Sequence, residues 1–174
     1  RFNKIGIRQN LMEPTFKLSQ TTNKSKAYEE FLDAWRPFIE GETNDICVYA
    51  NTSAALKEAF GFFWVGFYIV HNEELILGPF QGSVACMHIR KGKGVCGTAW
   101  AKAETQVVPN VEEFPGHIAC SSLSKSEIVV PLIQQGKVVG VLDIDSEHLN
   151  TFDNIDKEYL EILCQEIIKT ITLQ

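Results

Sequence analysis

Positive charge is the scarcer kind in this chain: 16 Lys and Arg stand against 22 Asp and Glu, a formal net charge of −6. Neutralising phosphates takes clustered cations, so a nucleic-acid partner and an anionic membrane surface are both expected to be absent. No apolar run approaches the ~20 residues of a membrane-spanning helix, and no N-terminal stretch has the charge, apolar core and small residues of a signal peptide. These absences point to a soluble, cytoplasmic protein. The sequence has no Cys-x-x-Cys pair, and GKGVCG, residues 92–97, lacks the spacing of either phosphate-binding loop. No repeat, linker or low-complexity segment divides the 174 residues, whose 45% apolar and 22% charged content describes one globular domain. An initiator Met is missing too. Residues 1–22 carry Arg1, Lys4, Arg8 and Lys17 against Glu13 alone. They read as an N-terminal extension, either a targeting remnant, which leaves organellar import open, or an expression leader, ahead of a domain spanning 23–174.

The periodicities predict the elements of that domain. Ala27, Tyr28, Phe31, Leu32, Trp35, Phe38 and Ile39 form one helical stripe over 24–39, with Pro37 ending or kinking it. A second helix fits 45–60, stopped by Gly61. Residues 62–70 and 74–80, joined by HNEE, predict a hairpin, and SVACMHI, 83–89, a third strand. A glycine loop then opens into a short helix around Cys96, and TQVVPNV is an edge strand stopped by Pro109. EIVVPLI and VVGVLDID form a second hairpin across QQGK. From Thr151 onward Phe152, Ile155, Leu160, Leu163, Ile167 and Ile171 make an amphipathic helix. Helices at both ends of a run of strands give an α+β fold, an antiparallel sheet covered by the terminal helices.

Five cysteines, an odd number without a secretory signal, favour free thiols or redox chemistry over a disulfide scaffold. Cys47 and Cys164 fall in apolar helix patterns and are expected in the core. Cys86, Cys96 and Cys120 occupy a strand, a glycine loop and a polar loop. Cys120 has His117 three residues before it and Ser121 and Ser122 directly after, a setting for reactivity. Cys96, at a helix start after KGKG, fits a thiol whose pKa is lowered. The Cys86/His88 and His117/Cys120 pairs raise zinc, but their spacing does not support it.

LDIDS carries a further signal. On a strand, Asp143 and Asp145 project from one face and Leu142 and Ile144 from the other. The pair is either a solvated edge or part of a cluster with Glu127 on the partner strand. A two-residue loop at Gln135-Gly136 needs positive φ at Gln135, so a three-residue loop of Gln134, Gln135 and Gly136 is favoured. Ile133 then faces Lys137, and Glu127 stands opposite Asp143 with Cβ atoms about 5 Å apart. Such a cluster can hold an ammonium group, and mutual repulsion can keep one carboxyl protonated as a proton donor.

GPFQG, ACMHI, GKGVCGTA, GHIAC, SEIVVPL and GVLDIDS together resemble the free methionine-(R)-sulfoxide reductases, which are built on a GAF domain. The resemblance implies a GAF-like α+β fold and reduction of the free amino acid methionine (R)-sulfoxide, with no metal or organic cofactor. It also implies thioredoxin as reductant and a homodimer. By the same resemblance Cys120 attacks and leaves as a sulfenic acid, Cys86 resolves it as an intramolecular disulfide, and Cys96 takes part in a second exchange or in either role. Glu127, Asp143 and Asp145 match the substrate-binding carboxylates, and Trp64 an aromatic wall against the S-methyl group. By its own position Trp64 reads equally as core. The alternative is a GAF ligand-binding or sensor domain without turnover, against which the three cysteines weigh together with the paired aspartates.

Overall fold

The computed structural model describes residues 15–116 and 122–172. The elements, in chain order, are α1 (Lys24–Ile39), α2 (Asp45–Phe60), β1 (Trp64–His71), β2 (Glu74–Gln81), β3 (His88–Arg90), α3 (Gly94–Lys102), β4 (Gln106–Val108), β5 (Ser126–Gln134), β6 (Lys137–Ser146) and α4 (Asn154–Thr172). Local chemistry sets the helix ends. The Asn23 and Asn44 side chains accept from the Lys26 and Cys47 N–H groups at 3.0 and 3.1 Å. Gly61, at φ +67°, closes α2 with its N–H on Lys57 O. Pro37 sits inside α1, in its last turn.

The sheet has six antiparallel strands in the order β3-β2-β1-β6-β5-β4. Strand alternation gives it two apolar faces. Val65 and Phe67 of β1, Ile128, Val130 and Leu132 of β5, and Leu142 and Ile144 of β6 meet α1, α2 and α4 in one core. The terminal helices thus cover one face, as expected, with α2 beside them. Phe16 joins this core, its ring 5.8 Å from Phe31 and 5.3 Å from Phe38. Trp64, Tyr68, Val129 and Val141 face the other way and pack against Val95, Cys96, Ala99 and Trp100 of α3.

The structure differs from the sequence reading at three places. The third strand covers only His88–Arg90, and residues 83–87 are irregular. Cys47 is exposed rather than in the core, whereas Cys164 is buried as expected. The β5–β6 hairpin closes with a two-residue loop: Gln134 pairs with Lys137, and Gln135 and Gly136 take φ +50° and +76°. Both central residues at positive φ make a type I′ turn, whose twist matches that of the flanking strands. Tertiary pairing along nine residues of β5 and ten of β6 overrides the local preference of one glutamine. A bulge follows, since Ile133 pairs with Val138 but Leu132 with Gly140. Glu127 therefore stands opposite Asp145, not Asp143, and Asp143 lies opposite Val129. The register moves by two residues, which keeps all three carboxylates on one face.

Replacing Gln135 with Asn, which tolerates the left-handed region, should raise unfolding stability by about 0.5–1 kcal/mol with the urea m-value unchanged. A destabilised Gln135→Asn protein would contradict the turn.

Candidate active site

A cleft of ≈ 560 Å³, counting its open mouth, lies over the second face. Its floor comes from Trp64, Tyr68, Glu127, Asp143 and Asp145, and its walls from residues 83–85, Lys93–Cys96 and Ser124.

The carboxylates reach the floor by strand alternation. Glu127 and Asp143 are buried, and Asp145 is partly exposed. Donor atoms of Cys96, Glu127 and Asp143 lie within 4.8 Å of one another, close enough to surround one small cation. The Cys96 thiol points at Glu127 Oε1 from 4.0 Å. Asp143 Oδ1 is buried with no hydrogen-bond partner among the described residues. Leaving such an atom unpaired costs about 1–3 kcal/mol, so the site is poised for a donor from outside.

Low dielectric and like charge set the protonation states. Glu127 is held well above the usual carboxylate range, first by burial, then by Asp143 and Asp145, and by a hydrogen bond to Asp143. Asp143 is also pushed up, by burial and Asp145, while hydrogen bonds from Cys96 and Glu127 work in the opposite direction. Burial raises Asp145 to about 6, moderated by a hydrogen bond with Ser124. Glu127 and Asp143 therefore hold their protons more tightly than Asp145, the member of the cluster nearest solvent. Cys96 departs from expectation: although it sits in the first turn of α3, burial and the neighbouring acids push its thiol well up, so it is a neutral donor rather than a thiolate. The Tyr68 hydroxyl is raised by burial and the acids and stays protonated.

Trp64 is buried, as a core residue would be, and it also lines the cleft. Its ring stacks on Phe80 at 5.3 Å and its Nε1 donates to Ser83 O at 2.9 Å. Gly66 and Gly82 make room for the indole, for a Cβ on either would stand 2.7 or 2.4 Å from it. Gly97 lets α3 approach the sheet closely, a Cβ there falling 2.4 Å from Arg90 O. The N-cap Lys93 gives α3 no side-chain cap. The N–H groups of Gly94, Val95 and Cys96 at the cleft wall are thus available to an anion.

Cys86 is half-buried and disulfide-bonded, whereas Cys47, Cys96 and Cys164 are free. Cys120 and His117 lie outside the described residues. His88, raised with Cys86 for zinc, is exposed, with Nδ1 3.2 Å from Glu74 Oε2. Sequence reasoning missed Tyr68, Lys93 and Ser124. Only the even spacing of Trp64 and Tyr68 along β1 signalled that they share a face.

A six-stranded antiparallel sheet with helices on one face and a cleft on the other is the architecture of a GAF domain, and that family matches residues 48–171. The chain is 60% identical over 139 residues to GAF domain-containing protein A of Dictyostelium discoideum, covering 79% of this chain and 88% of that one. It is 45% identical over 161 residues to the free methionine-R-sulfoxide reductase of Saccharomyces cerevisiae, covering 87% and 89%. Among solved structures, the free methionine-R-sulfoxide reductase from Neisseria meningitidis in complex with its substrate matches at a TM-score of 0.87 and 50% identity, covering 90% and 95%. Within the GAF fold, this chain belongs to the free methionine-R-sulfoxide reductases. No helix among the described residues is long and apolar enough to cross a membrane.

The raised carboxyls carry a stability signature. Asp145 has a folded-state pKa above its unfolded one, so the stabilising share of its neutral form is complete below about pH 4 and is lost as pH rises through about 6. Asp145→Asn should therefore be about 3 kcal/mol more stable to unfolding than the parent at pH 8, the gap vanishing below about pH 4. Urea titrations across that range check it; a variant less stable at pH 8 would contradict it.

Proposed function

We propose that this protein reduces free methionine (R)-sulfoxide to methionine at the cleft, with Cys120 as nucleophile, Cys86 as resolving thiol and thioredoxin as the final reductant. The observation that carries the reading is the buried acid cluster, with its unpartnered Asp143 Oδ1, in the same cleft wall system as the chain that bears Cys86. A free amino acid supplies what the cleft lacks. Its ammonium suits Asp145 and Asp143, and its carboxylate suits Lys93 and the first N–H groups of α3. The S-methyl group suits the Trp64 ring.

In this reading the Cys120 thiolate attacks the sulfoxide sulfur while Glu127, protonated by its surroundings, gives its proton to the sulfoxide oxygen. The oxygen passes to Cys120 as a sulfenic acid and methionine leaves. Cys86 then attacks that sulfenic sulfur, releasing water and closing a disulfide, which the thioredoxin dithiol reduces. A disulfide-bonded Cys86 beside three free cysteines supports this assignment. Cys96, neutral and turned toward Glu127, is better suited to holding the acid cluster's hydrogen bonds than to the first attack. The chain is proposed to act as a homodimer in the cytoplasm, a state that size-exclusion chromatography with light scattering reads directly.

NADPH oxidation through thioredoxin reductase and thioredoxin tests the activity. The free (R) epimer should turn over, while the (S) epimer and the N-acetylated (R) epimer should not, because an acylated nitrogen leaves the buried carboxylates unpaired. Equal rates on the N-acetylated substrate would overturn the reading. In a single turnover, Cys120→Ser should release no methionine and Cys86→Ser about one equivalent per site. One equivalent from Cys120→Ser would move the nucleophile elsewhere.

A further inference from the structure

The segment that carries Cys86, residues 83–87, forms no strand itself, and its apolar side chains do little to hold it. Val84 is 88% exposed and Met87 71% exposed, leaving Ala85 and Cys86 as the residues packed on the second core. Its carbonyl oxygens are tied to the sheet instead. Trp64 Nε1 donates to Ser83 O at 2.9 Å, the Tyr68 hydroxyl donates to Cys86 O at 3.0 Å, and the Leu77 N–H donates to Met87 O at 3.0 Å.

Tyr68 is 1% exposed, in the middle of β1. A buried phenol hydroxyl is costly unless it is paired, and a phenylalanine would fill the same wall of the cleft. The partner it has is the backbone of the disulfide-bonded cysteine. A disulfide closes only when the two Cα atoms approach to about 4.4–6.8 Å, so the rate of closure depends on where the Cys86 backbone is held.

We propose that Tyr68 is a positioning residue for the resolving step: its hydroxyl holds the Cys86 carbonyl so that the Cys86 thiol meets the sulfenic acid as soon as it forms. The inference rests on the assignment of Cys86 as the resolving thiol. Tyr68 then has no part in the attack on the sulfoxide; it governs how quickly the enzyme leaves the sulfenic state.

Tyr68→Phe, which keeps the ring and removes the hydroxyl, separates the two steps. Turnover is measured with thioredoxin, which acts on the disulfide, and with excess dithiothreitol, which also reduces a sulfenic acid directly. The single-turnover yield of methionine should stay at one equivalent. The rate of disulfide closure should fall about 3–10-fold, as expected for one lost hydrogen bond, with more sulfenic acid captured by dimedone. The thioredoxin-supported kcat should fall to match, and by a clearly larger factor than the dithiothreitol-supported kcat. A parallel loss of both kcat values, or no loss in either, would overturn the proposal. Cys86→Ser run alongside locates a failure: if it keeps its thioredoxin-supported turnover, the resolving role of Cys86 falls and the proposal with it.

Discussion

The contact between Glu127 and Asp143, two acids in a low-dielectric cleft with Asp145 beside them, sets the electrostatics of everything around it. Each ionised member raises the cost of ionising the next, and burial adds to that cost at all three. The result is a division of labour that no single carboxylate can provide. Glu127 and Asp143 hold their protons the more tightly, and Asp145, tied to Ser124 and nearer solvent, gives its proton up first. The same field acts on Cys96 and Tyr68, keeping a thiol and a phenol protonated as hydrogen-bond donors. An ammonium group entering the cleft would relieve this repulsion, turning a cluster unfavourable to the empty fold into one favourable to binding.

Most of the scaffold was legible in the sequence because it rests on period. The helical stripe of Tyr28, Phe31, Leu32 and Trp35 and the alternation of Val65 with Trp64 each follow from which side must be buried. The alternation of Leu142 and Ile144 with Asp143 and Asp145 is of the same kind. That last pattern also exposed the acid cluster, since two aspartates on an otherwise apolar strand have to face something. The register of Glu127 was not legible. It depends on one positive-φ glutamine and on a bulge at the Leu132–Ile133 step, neither of which local propensity favours. A three-residue turn is the better local choice, and the long ladder between β5 and β6 overrules it.

Residues 83–87 failed as part of a predicted strand for an instructive reason. Their composition suits a strand, but the donors that reach Ser83 and Cys86 are side chains of Trp64 and Tyr68, not a neighbouring backbone. Side-chain capture of main-chain carbonyls leaves no periodic mark. Cys96 was misjudged similarly: a helix start lowers a thiol's pKa in water-filled surroundings, yet here burial and acidic neighbours outweigh it. The architecture therefore separates two requirements. The acids sit on the two longest strands of the sheet, which fixes their spacing, while Cys86 sits on irregular chain whose carbonyl oxygens accept from side chains of β1.

The central claim, that burial and like charge make Glu127 hold its proton more tightly than its neighbour Asp145, is open to direct measurement. Titration of the side-chain carboxyl carbons by NMR, with Glu127, Asp143 and Asp145 assigned through their amide variants, reads each protonation state. The account predicts Asp145 titrating near 6 and Glu127 losing its proton only at a pH above that of Asp145. Three carboxyls that all ionise near pH 4, as solvated acids do, would contradict it.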